Sequence, residues 1–305
     1  MASLDDLSVF TRVVERQSFS AVARDFKSTK SAISKQVSRL ERRLGAKLLN
    51  RSTRRLSLTE IGALVFDHST RIADEVEAIE AVVAGLQSTP RGTLRITASV
   101  PFGQRHVLRW LPEFCARYPE LEVRAHLNDR YIDLVEEGFD AAIRLTSSPP
   151  PNAVARKLAP IRYVLCASKA YLKTAGTPKS PAALKSHNCI VFDRHESDTQ
   201  WRFAKGGEQI KIKARGTLSV NSSDAIREAA LQGHGIALLP TYVVGEDLRS
   251  GKLVSLLKSY EAIGNFGDSV YIVYLPSRFQ TPKVRAFVDF MMEKFGDEPY
   301  WDKRT

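Results

Sequence analysis

The sequence predicts an α/β protein with three parts: an N-terminal winged helix-turn-helix, a long linker helix and a two-lobed α/β domain with a cleft. Three observations support this prediction. Residues 18–62 contain two helical patterns, a tight connection and a basic hairpin; one apolar stripe then continues from Ile61 to Leu86; and after Thr93 strand and helix patterns alternate. The predicted divisions of the chain are residues 1–58, 59–89 and 90–296, with a tail at 297–305.

The second helix of the N-terminal unit is predicted to have one buried face and one open face. Apolar residues at helical spacing define the buried stripe: Ile33, Val37, Leu40 and Leu44. Small hydroxyls and cations precede the helix or occupy its other face: Thr29, Lys30, Ser31, Ser34, Lys35 and Ser38. Such a helix can lie in the major groove, with its first residues at base edges and phosphates. Thr29 or Ser31 is the expected N-cap and Gly45 the expected stop.

The same region is basic. Between Arg24 and Arg55 the chain has eleven Lys and Arg residues against two carboxylates, Asp25 and Glu41. This excess is the electrostatic footprint expected of a surface that binds duplex DNA. A run of cations is more often only a solvated helix face. That alternative is disfavoured here because the preceding helix, residues 20–26, is too short to be stable without a helical partner.

A small hairpin is predicted after the second helix. Residues 48–51 and 55–58 flank a connection at 52–54. Its arginines, Arg51, Arg54 and Arg55, are expected over the DNA backbone or in the minor groove. Two helices followed by such a hairpin are the layout of a winged helix-turn-helix.

These residues resemble the LysR-type transcriptional regulators. The matching segments, in the family's order and spacing, are AVA at 21–23, SAISKQV at 31–37, LE at 40–41, LG at 44–45, LLNR at 48–51 and LTEIG at 58–62. In one departure, Thr29 and Lys30 stand where the family often has Ser-Gln. The resemblance implies sequence-specific binding of double-stranded DNA by a homodimer or homotetramer, modulation by a small effector, and RNA polymerase as a partner.

A long helix is predicted after Thr59. Its apolar positions recur at steps of three and four, and the expected dimerisation residues are Ile61, Val65, Ile72, Val76, Ile79 and Val83. Because its outer face is acidic, this helix is not a DNA surface. A long helix with one narrow apolar stripe usually pairs with a copy of itself. The alternative is packing against its own sensor domain; the family resemblance favours the dimer. Residues 90–92 end the helix and form a hinge.

Two α/β halves are predicted after Thr93. For the first half, strands are expected at 94–98, 121–127 and 139–145, and helices at 107–118 and 132–137. This pattern predicts an open, mostly parallel sheet. For the second half, strands are expected near 162–167, 189–192, 209–214 and 236–239, and helices near 180–186 and 223–232. The strand at 269–275 and the helix at 282–295 are expected to return to the first half.

Two halves joined by two crossings enclose a cleft, as in the periplasmic-binding-protein fold. Lobe I is predicted at about 90–161 with 266–296, and lobe II at about 162–265. The LysR family uses this fold as its effector domain, and the resemblance continues through DLVEEGFDAAIR at 133–144 and GHGIALLP at 233–240. It therefore covers the chain up to Gly296 and leaves the tail outside.

The cleft is the predicted effector site. Ligands of such sheets bind beyond the carboxyl ends of strands, near helix N-termini. The candidate effector residues are Ser99, Val100, Phe102, Gly103, Arg144, Thr146, Asn221 and Ser222. Hydroxyls, an amide and helix dipoles suit a carboxylate. The resemblance implies that Phe102 lies near the ligand and packs on its carbon skeleton, for which we expect an aromatic or short aliphatic acid. The alternative is that Ser99, Asn221 and Ser222 are ordinary caps and turn residues; the resemblance moves the choice toward effector binding.

The sequence contains no pattern that is typical of an enzyme, a metal site or a redox sensor. It has no Gly-x-Ser-x-Gly, phosphate-loop or His-Glu-x-x-His motif. The densest set of metal-ligand types, His187, Cys189, Asp193 and His195, matches no zinc spacing, so no metal or cofactor is expected. A redox sensor needs an exposed, low-pKa thiol with a resolving partner. Cys166 and Cys189 are expected in core strands instead, and Cys115 on the apolar side of a helix.

The length and the charge of the chain limit which classes of protein it can belong to. The chain has 305 residues, a net charge of +11 and 43% hydrophobic residues, which fits several compact units and a polyanionic partner. No apolar run of about 18 residues occurs, and residues 1–6 lack the basic and apolar regions of a signal peptide. We therefore expect a cytoplasmic protein without membrane contact. A solute-binding protein with the same sensor fold is opposed by the DNA-binding segment and the missing signal.

Overall fold

The computed structural model describes residues 3–51, 56–83, 89–130, 134, 136–193, 196–276, 281–296 and 298–303. The chain divides at Thr89 and Pro90 into two compact units. Among the described helices, none has the length and apolarity to cross a membrane. The predicted fold class, a helix-turn-helix unit followed by a mixed α/β unit, is confirmed.

The described part of the first unit is helical with one short hairpin. Its elements are α1 Leu4–Arg16, α2 Phe19–Asp25, α3 Lys30–Leu44, β1 Leu49–Arg51, β2 Leu56–Leu58 and α4 Glu60–Val83. Strands β1 and β2 pair antiparallel, with Leu49 opposite Leu58. Phe10, Val22 and Leu40 are fully buried in the core shared by the first three helices. The hairpin therefore follows a packed three-helix core, as the winged layout requires.

The helix ends of this unit follow local chemistry. Thr29 caps α3 by accepting a hydrogen bond at Oγ1 from the Ala32 N–H at 3.2 Å, and Gly45 ends it with φ of 68°. Both expectations for these residues are confirmed. The predicted stripe is wrong at its last position, because Leu44 is 42% exposed whereas Ile33 is buried. As the last helical residue, next to the turn at Gly45, Leu44 lies at the edge of the packed face.

The first lobe of the second unit is built on a five-stranded sheet. Its strands are β3 Gly92–Ala98, β4 Leu121–Leu127, β5 Ala141–Thr146, β6 Val154–Pro160 and, after the second lobe, β15 Ser269–Tyr274. Its helices are α5 Val100–Phe102, which continues as a π-helical turn at Gly103–Val107, α6 Leu111–Arg117 and α10 Pro282–Lys294. The predicted helix at 107–118 thus splits into two pieces. Of the predicted helix at 132–137, residues 132, 133 and 135 lie outside the described residues, and the other three lie in turns and not in a helix.

The second lobe has its own five-stranded sheet and a small three-stranded sheet. Its strands are β7 Tyr163–Ser168, β8 Cys189–Phe192, β9 Gln200–Lys205, β10 Glu208–Lys213, β11 Ser219–Val220, β12 Ile236–Pro240, β13 Leu253–Leu256 and β14 Glu261–Ile263. Its helices are α7 Lys169–Ala175, α8 Ser223–Leu231 and α9 Thr241–Arg249, with 3₁₀ turns at Pro181–Ser186 and Glu196–Thr199. The chain crosses between the lobes after β6 and again before β15.

Both large sheets are mixed, but in each of them four strands run in one direction and a single strand runs against them, so the mostly parallel sheet predicted for the first half is confirmed. In lobe I the order is β4-β3-β5-β15-β6, and β15 is antiparallel to both neighbours. In lobe II the order is β11-β8-β12-β7-β13, and β7 is antiparallel to both neighbours. The two antiparallel strands are those that follow the crossings: β7 and β15 enter each lobe from the other, and each runs against the other strands of its sheet.

Candidate DNA-binding face and effector cleft

Helix α3 presents the predicted hydroxyls and cations on its open side. Thr29, Lys30, Ser31 and Lys35 are exposed, and Ser34 and Ser38 are half-buried. Ile33 and Val37, on the other side, are buried against the core of the unit. The Thr29 cap places free backbone N–H groups at the start of the helix, next to the Lys30 ammonium. This end of α3 can therefore receive phosphate oxygens or base edges.

A buried carboxylate holds two of the basic side chains in place. Asp6 in α1 has no exposed surface, and it accepts hydrogen bonds from Arg39 Nε at 3.1 Å and from Arg43 Nη1 at 3.3 Å. The hydrogen bond from Arg39 outweighs the effect of burial and keeps the pKa of Asp6 below its usual value. Arg39 and Arg43 therefore help to fix α3 on α1 and neutralise an internal charge.

A second buried carboxylate stabilises the base of the hairpin. Glu41 is 4% exposed and accepts hydrogen bonds from the Leu48 N–H at 3.0 Å and from Lys47 Nζ at 3.1 Å. Burial raises the pKa of Glu41, but these hydrogen bonds outweigh it, so that the pKa lies below its usual value. Three cations of the basic run, Arg39, Arg43 and Lys47, thus pair with internal carboxylates, and fewer charges remain for DNA than the sequence count indicates.

The arginines predicted for the hairpin are only partly described. The backbone of Arg51 lies in β1, and the neighbouring Asn50 donates from Nδ2 to the Leu58 carbonyl at 3.2 Å. The side chain of Arg51, and all of Arg54 and Arg55, lie outside the described residues. Their contact with DNA stays a prediction.

Helix α4 has a packed side and an exposed side. Gly62 and Ser69 are buried, and Val65 packs against the core of the first unit. Large apolar side chains remain exposed: Ile61 at 50%, Leu64 at 60%, Ile72 at 38% and Val76 at 40%. Of the predicted dimerisation residues, Val65 therefore serves its own unit, whereas Ile61, Ile72 and Val76 stay available. The side chains of Ile79 and Val83 lie outside the described set.

A cleft of about 920 Å³ lies between the two lobes of the second unit. Lobe I contributes Ser99, Arg144 and Thr146, and lobe II contributes Asn221 and Tyr242. This volume is within the range of small-molecule sites. Four predicted effector residues, Ser99, Arg144, Thr146 and Asn221, thus line one cavity. Ser222 is not among its lining residues; it caps α8 through Oγ, and the next residue, Ser223, lines the cleft.

Arg144 is the most distinctive group in this cleft. It is half-buried, and it donates from Nη1 to the Asn128 carbonyl at 2.6 Å and from Nη2 to Thr97 Oγ1 at 3.0 Å. Burial lowers the pKa of its guanidinium. It forms no ion pair in the described part of the chain, but the carboxylates of Asp129 and Glu137 act on it from a longer distance and raise its pKa, which only partly offsets the effect of burial. A half-buried positive charge held by neutral acceptors attracts an anion.

Ser99 offers a second polar group in the same cavity. Its Oγ is shielded from solvent and has no hydrogen-bond partner among the described residues. A buried hydroxyl without a partner is costly, so a ligand that forms a hydrogen bond with Ser99 Oγ would remove this cost. Sequence reasoning missed other lining residues: Asp129, Arg130, Phe192 and Phe266. Phe192 and Phe266 pack edge to face, with centroids 4.7 Å apart, at the end of β8 and beyond β14, where no local motif marks a site.

Three predicted effector residues do not reach the cavity as expected. Phe102 has no exposed surface and packs against His106, Tyr242 and Trp301, so its predicted contact with a ligand is wrong. Gly103 is also buried, because its position is closely packed against the side chains of Leu127 and Ala98. The N–H of Val100, another candidate effector residue, donates to Asp129 Oδ1 at 2.9 Å. The turn after β3 directs these groups into the core.

The cysteines give no redox site in the core. Cys166 and Cys189 are buried in strands, and burial raises the pKa of Cys166 to about 12 and that of Cys189 to about 11. Both thiols therefore stay protonated at neutral pH. Cys115 is exposed, which corrects its predicted place on the apolar side of a helix. A search of the described residues finds no group of three metal-ligating side chains.

Comparisons with known proteins agree with both halves of the site. Residues 4–63 match the family model "Bacterial regulatory helix-turn-helix protein, lysR family", and residues 87–296 match "LysR substrate binding domain". The chain is 34% identical to the "HTH-type transcriptional activator TtdR" of Escherichia coli strain K12 over 94% of this chain and 91% of that protein. It is 35% identical to DmlR of the same strain, a transcriptional regulator, over 96% and 95% of the two chains.

A solved structure has the same architecture. The structure of CrgA, a LysR-type transcriptional regulator from Neisseria meningitidis, superposes with a TM-score of 0.63 at 32% identity, over 96% of this chain and 99% of that chain. These relatives carry the names of transcriptional regulators and not of enzymes. Both the DNA-binding unit and the two-lobed unit are thus similar to those of full-length regulators.

Proposed function

Because this chain belongs to the LysR family of transcriptional regulators, we propose that it controls transcription in response to an organic acid anion bound between its lobes. The observation that supports the anion is the half-buried Arg144 guanidinium, which lines the cleft and donates its hydrogen bonds to two neutral acceptors, with Asp129 and Glu137 acting on it only from a longer distance. We expect the regulator to act in the cytoplasm, with the chromosome. RNA polymerase is the protein partner we propose. We also propose that the DNA-binding domain ends at residue 58, the linker helix at residue 89 and the effector domain at residue 296.

We propose that α3 is the recognition helix. Its exposed start combines the Lys30 and Lys35 ammonium groups with the hydroxyls of Thr29 and Ser31, at a helix end that the Thr29 side chain caps. Cations and N-terminal N–H groups bind phosphate, and short hydroxyls fit close to base edges. The half-buried Ser34 and Ser38 lie on the same helix, between the buried face and the DNA. Arg51, Arg54 and Arg55 complete the proposed contact from the hairpin.

The DNA-binding proposal predicts a specific effect of Lys35. Lys35→Ala should weaken binding to every duplex and reduce the slope of log K against log salt by roughly one unit, since one phosphate contact is lost. Ser34→Leu should instead reduce the preference for the promoter next to the protein's own gene over random DNA by about 1–3 kcal/mol. Fluorescence anisotropy at several salt concentrations measures both quantities.

The matched control is Lys211→Ala, which removes an equally exposed lysine from β10 in the second unit. It should leave both the affinity and the salt slope unchanged. Equal effects of Lys35→Ala and Lys211→Ala would mean that the chain's overall charge binds DNA, and α3 would lose its assigned role.

We propose that the effector's carboxylate binds near Arg144, Ser99 and Asn221. These residues line the same cavity from both lobes, and Ser99 Oγ has no partner in the described structure. Ser223, at the start of the nine-residue helix α8, adds backbone N–H groups that favour negative charge. Apolar side chains such as Phe192 line the rest of the cavity, which suits a carbon skeleton.

The effector proposal predicts stabilisation by one class of compounds. In a thermal-shift screen, aromatic and short aliphatic carboxylates should include at least one that raises Tm by roughly 5–10 °C at about one hundred times its Kd. Arg144→Gln should abolish this shift, because it removes the positive charge that pairs with the carboxylate. Ser99→Ala should weaken the shift, and DNA binding without effector should persist in both variants.

Arg130→Gln is the matched control for the effector test. Arg130 lines the same cleft, but its guanidinium already pairs with Glu137 at 2.7 Å. We expect the ligand-induced shift to persist in this variant. Stabilisation by cationic or uncharged compounds alone, or a carboxylate shift that survives Arg144→Gln, would contradict the proposed anion site.

We further propose that α4 joins two copies of the chain into a homodimer, which can build a homotetramer. The exposed apolar residues Ile61, Leu64, Ile72 and Val76 form the proposed contact, continued by Ile79 and Val83. Unpaired large apolar side chains on a helix mark an interaction surface. Two recognition helices then bind two half-sites at a fixed separation.

A further inference from the structure

The segment 298–303 lies beyond the matched family domain, which ends at residue 296, and it touches both lobes. Trp301 is 5% exposed, and its ring packs against His106 of lobe I with centroids 4.3 Å apart. Its carbonyl accepts a hydrogen bond from Arg249 Nη1 of lobe II at 2.8 Å. One residue of this segment therefore has its side chain in one lobe and its backbone fixed to the other.

Two further contacts attach the segment to lobe II. Asp302 pairs with Arg162 at 2.9 Å, and its carboxylate side chain is only 6% exposed. Arg162 directly precedes β7, where the chain enters lobe II. At Gly245 in α9, an added Cβ would lie 2.6 Å from the Trp301 carbonyl oxygen, so the two backbones are in close contact. The segment is therefore packed closely against α9.

The π-helical turn at Gly103–Val107 packs against this segment and also connects the two lobes. His106 has both ring nitrogens in hydrogen bonds, with Tyr300 Oη at 2.6 Å and with the Tyr242 carbonyl at 3.0 Å. A carbonyl only accepts, so His106 Nε2 carries the proton, and Nδ1 of the neutral ring accepts from the Tyr300 hydroxyl. The neighbouring Arg105 donates from Nε to Asp224 Oδ1 of α8 at 2.9 Å.

These contacts reach the wall of the cleft. Tyr242 and Ser223 line the cavity. The Tyr242 carbonyl is the group that His106 holds, and Ser223 directly precedes Asp224, the partner of Arg105. A change in the angle between the lobes must move α8 and α9 relative to the π-helical turn, and must disturb the contacts of Trp301 with His106 on one side or with α9 on the other. A ligand that displaces Tyr242 or Ser223 therefore acts directly on the contacts that join the lobes.

We propose that residues 298–303 and the π-helical turn form an interlobe clamp, which fixes the angle between the lobes and through which an effector in the cleft changes that angle. The role of the effector rests on the proposed function of the cleft. The mechanical role of the clamp does not, because it concerns the protein without ligand. Effector binding can change the angle between the lobes only as far as its binding energy exceeds the free energy needed to break the contacts of the clamp.

Pulsed electron-spin distance measurements on the full-length protein test the clamp without any effector. One spin label is placed on the exposed Cys115 of lobe I and the other on a cysteine introduced by Lys185→Cys, an exposed position in lobe II. Labelled protein is diluted with unlabelled protein, so that distances within one chain dominate. The test variant combines Arg249→Ala with Asp302→Asn, which removes the lobe II anchors and leaves the aromatic contacts of Trp301 in place.

The clamp predicts that this double variant broadens the distance distribution and shifts its mean, with the circular dichroism of the folded protein retained. The control Arg156→Gln breaks an ion pair with Asp289 inside lobe I and should leave the distribution unchanged. A second test variant, Trp301→Ala, should broaden it as well. A folded double variant with the wild-type distribution would overturn the clamp. A carboxylate panel that produces no binding would overturn the proposed effector and leave this distance result unaffected.

Discussion

Replacing Gly62 by Ala should destabilise the first unit by about 4 kcal/mol or more and abolish DNA binding. A Cβ at this position would lie 2.8 Å from the carbonyl carbon of Leu48, nearer than real Cβ atoms approach backbone. Leu48 cannot move away easily, because its N–H bonds to Glu41 at 3.0 Å and its carbonyl accepts from the Thr59 N–H at 3.0 Å. The estimate combines overpacking of a rigid site with the loss of buried hydrogen bonds.

Thermal denaturation followed by circular dichroism, together with anisotropy on promoter DNA, measures both effects. Gly45→Ala is the control, since nothing lies within 4 Å of a Cβ there and only the positive φ of 68° opposes the substitution. It should cost about 1–2 kcal/mol, the usual price of a left-handed L-residue. If Gly62→Ala instead melted like the wild type and bound DNA fully, the close approach of α4 to the hairpin would not exist in solution.

In the DNA-binding unit, the sequence predicts those features that depend on residues close by in the chain. The cap at Thr29, the stop at Gly45 and the buried side of α3 each depend on neighbours within one or two turns. The ion pairs of the same helix were not predictable in this way. Asp6 meets Arg39 and Arg43 only after α1 packs on α3, so the count of cations along the sequence overestimated the charge that faces DNA.

For the lobes, the sequence predicts much of the strand content and the mostly parallel direction, but not the one strand in each sheet that runs against the others. Buried strands such as β5 and β8 have apolar runs that local reasoning finds. β6, with the sequence VARKLAP, has no such run and is held in place by pairing with β15, which is distant in the chain. The directions of β7 and β15 follow from the crossings between lobes. No pattern within one segment contains that information.

The residues of the cleft were likewise predictable where they depend on neighbours in the sequence, and not where they depend on residues that are distant in the chain. Ser99, Arg144 and Asn221 follow or end strands, and strand ends form the rim of such a sheet, so their place at the cavity could be expected. Phe102 was misplaced because a sequence does not show which side of a short turn faces inward. Trp301 and Asp302 were assigned to a tail, since their partners His106 and Arg162 are far away in the chain.

Replacing Ile72 by Glu should convert the oligomer into a monomer and lower the affinity for a two-half-site operator on the order of 10²–10⁴-fold. Ile72 is 38% exposed on a helix that also exposes Leu64 and Val76. In the proposed dimer this residue faces a second copy of α4, so each dimer would bury two carboxylates without partners, which is costly. The affinity falls because two linked recognition helices gain avidity that separate ones lack. Analytical ultracentrifugation and anisotropy measure the two effects.

Ala73→Glu is the control for this prediction. Ala73 is exposed on the same helix, about 100° around the axis from Ile72, so the added charge stays in water. We expect this variant to keep both the oligomer and the operator affinity. An Ile72→Glu protein that sediments as the wild-type oligomer would show that α4 does not hold the copies together. The exposed apolar residues of α4 would then need another partner, and the spacing of the two recognition helices would have to be set by contacts of the second unit.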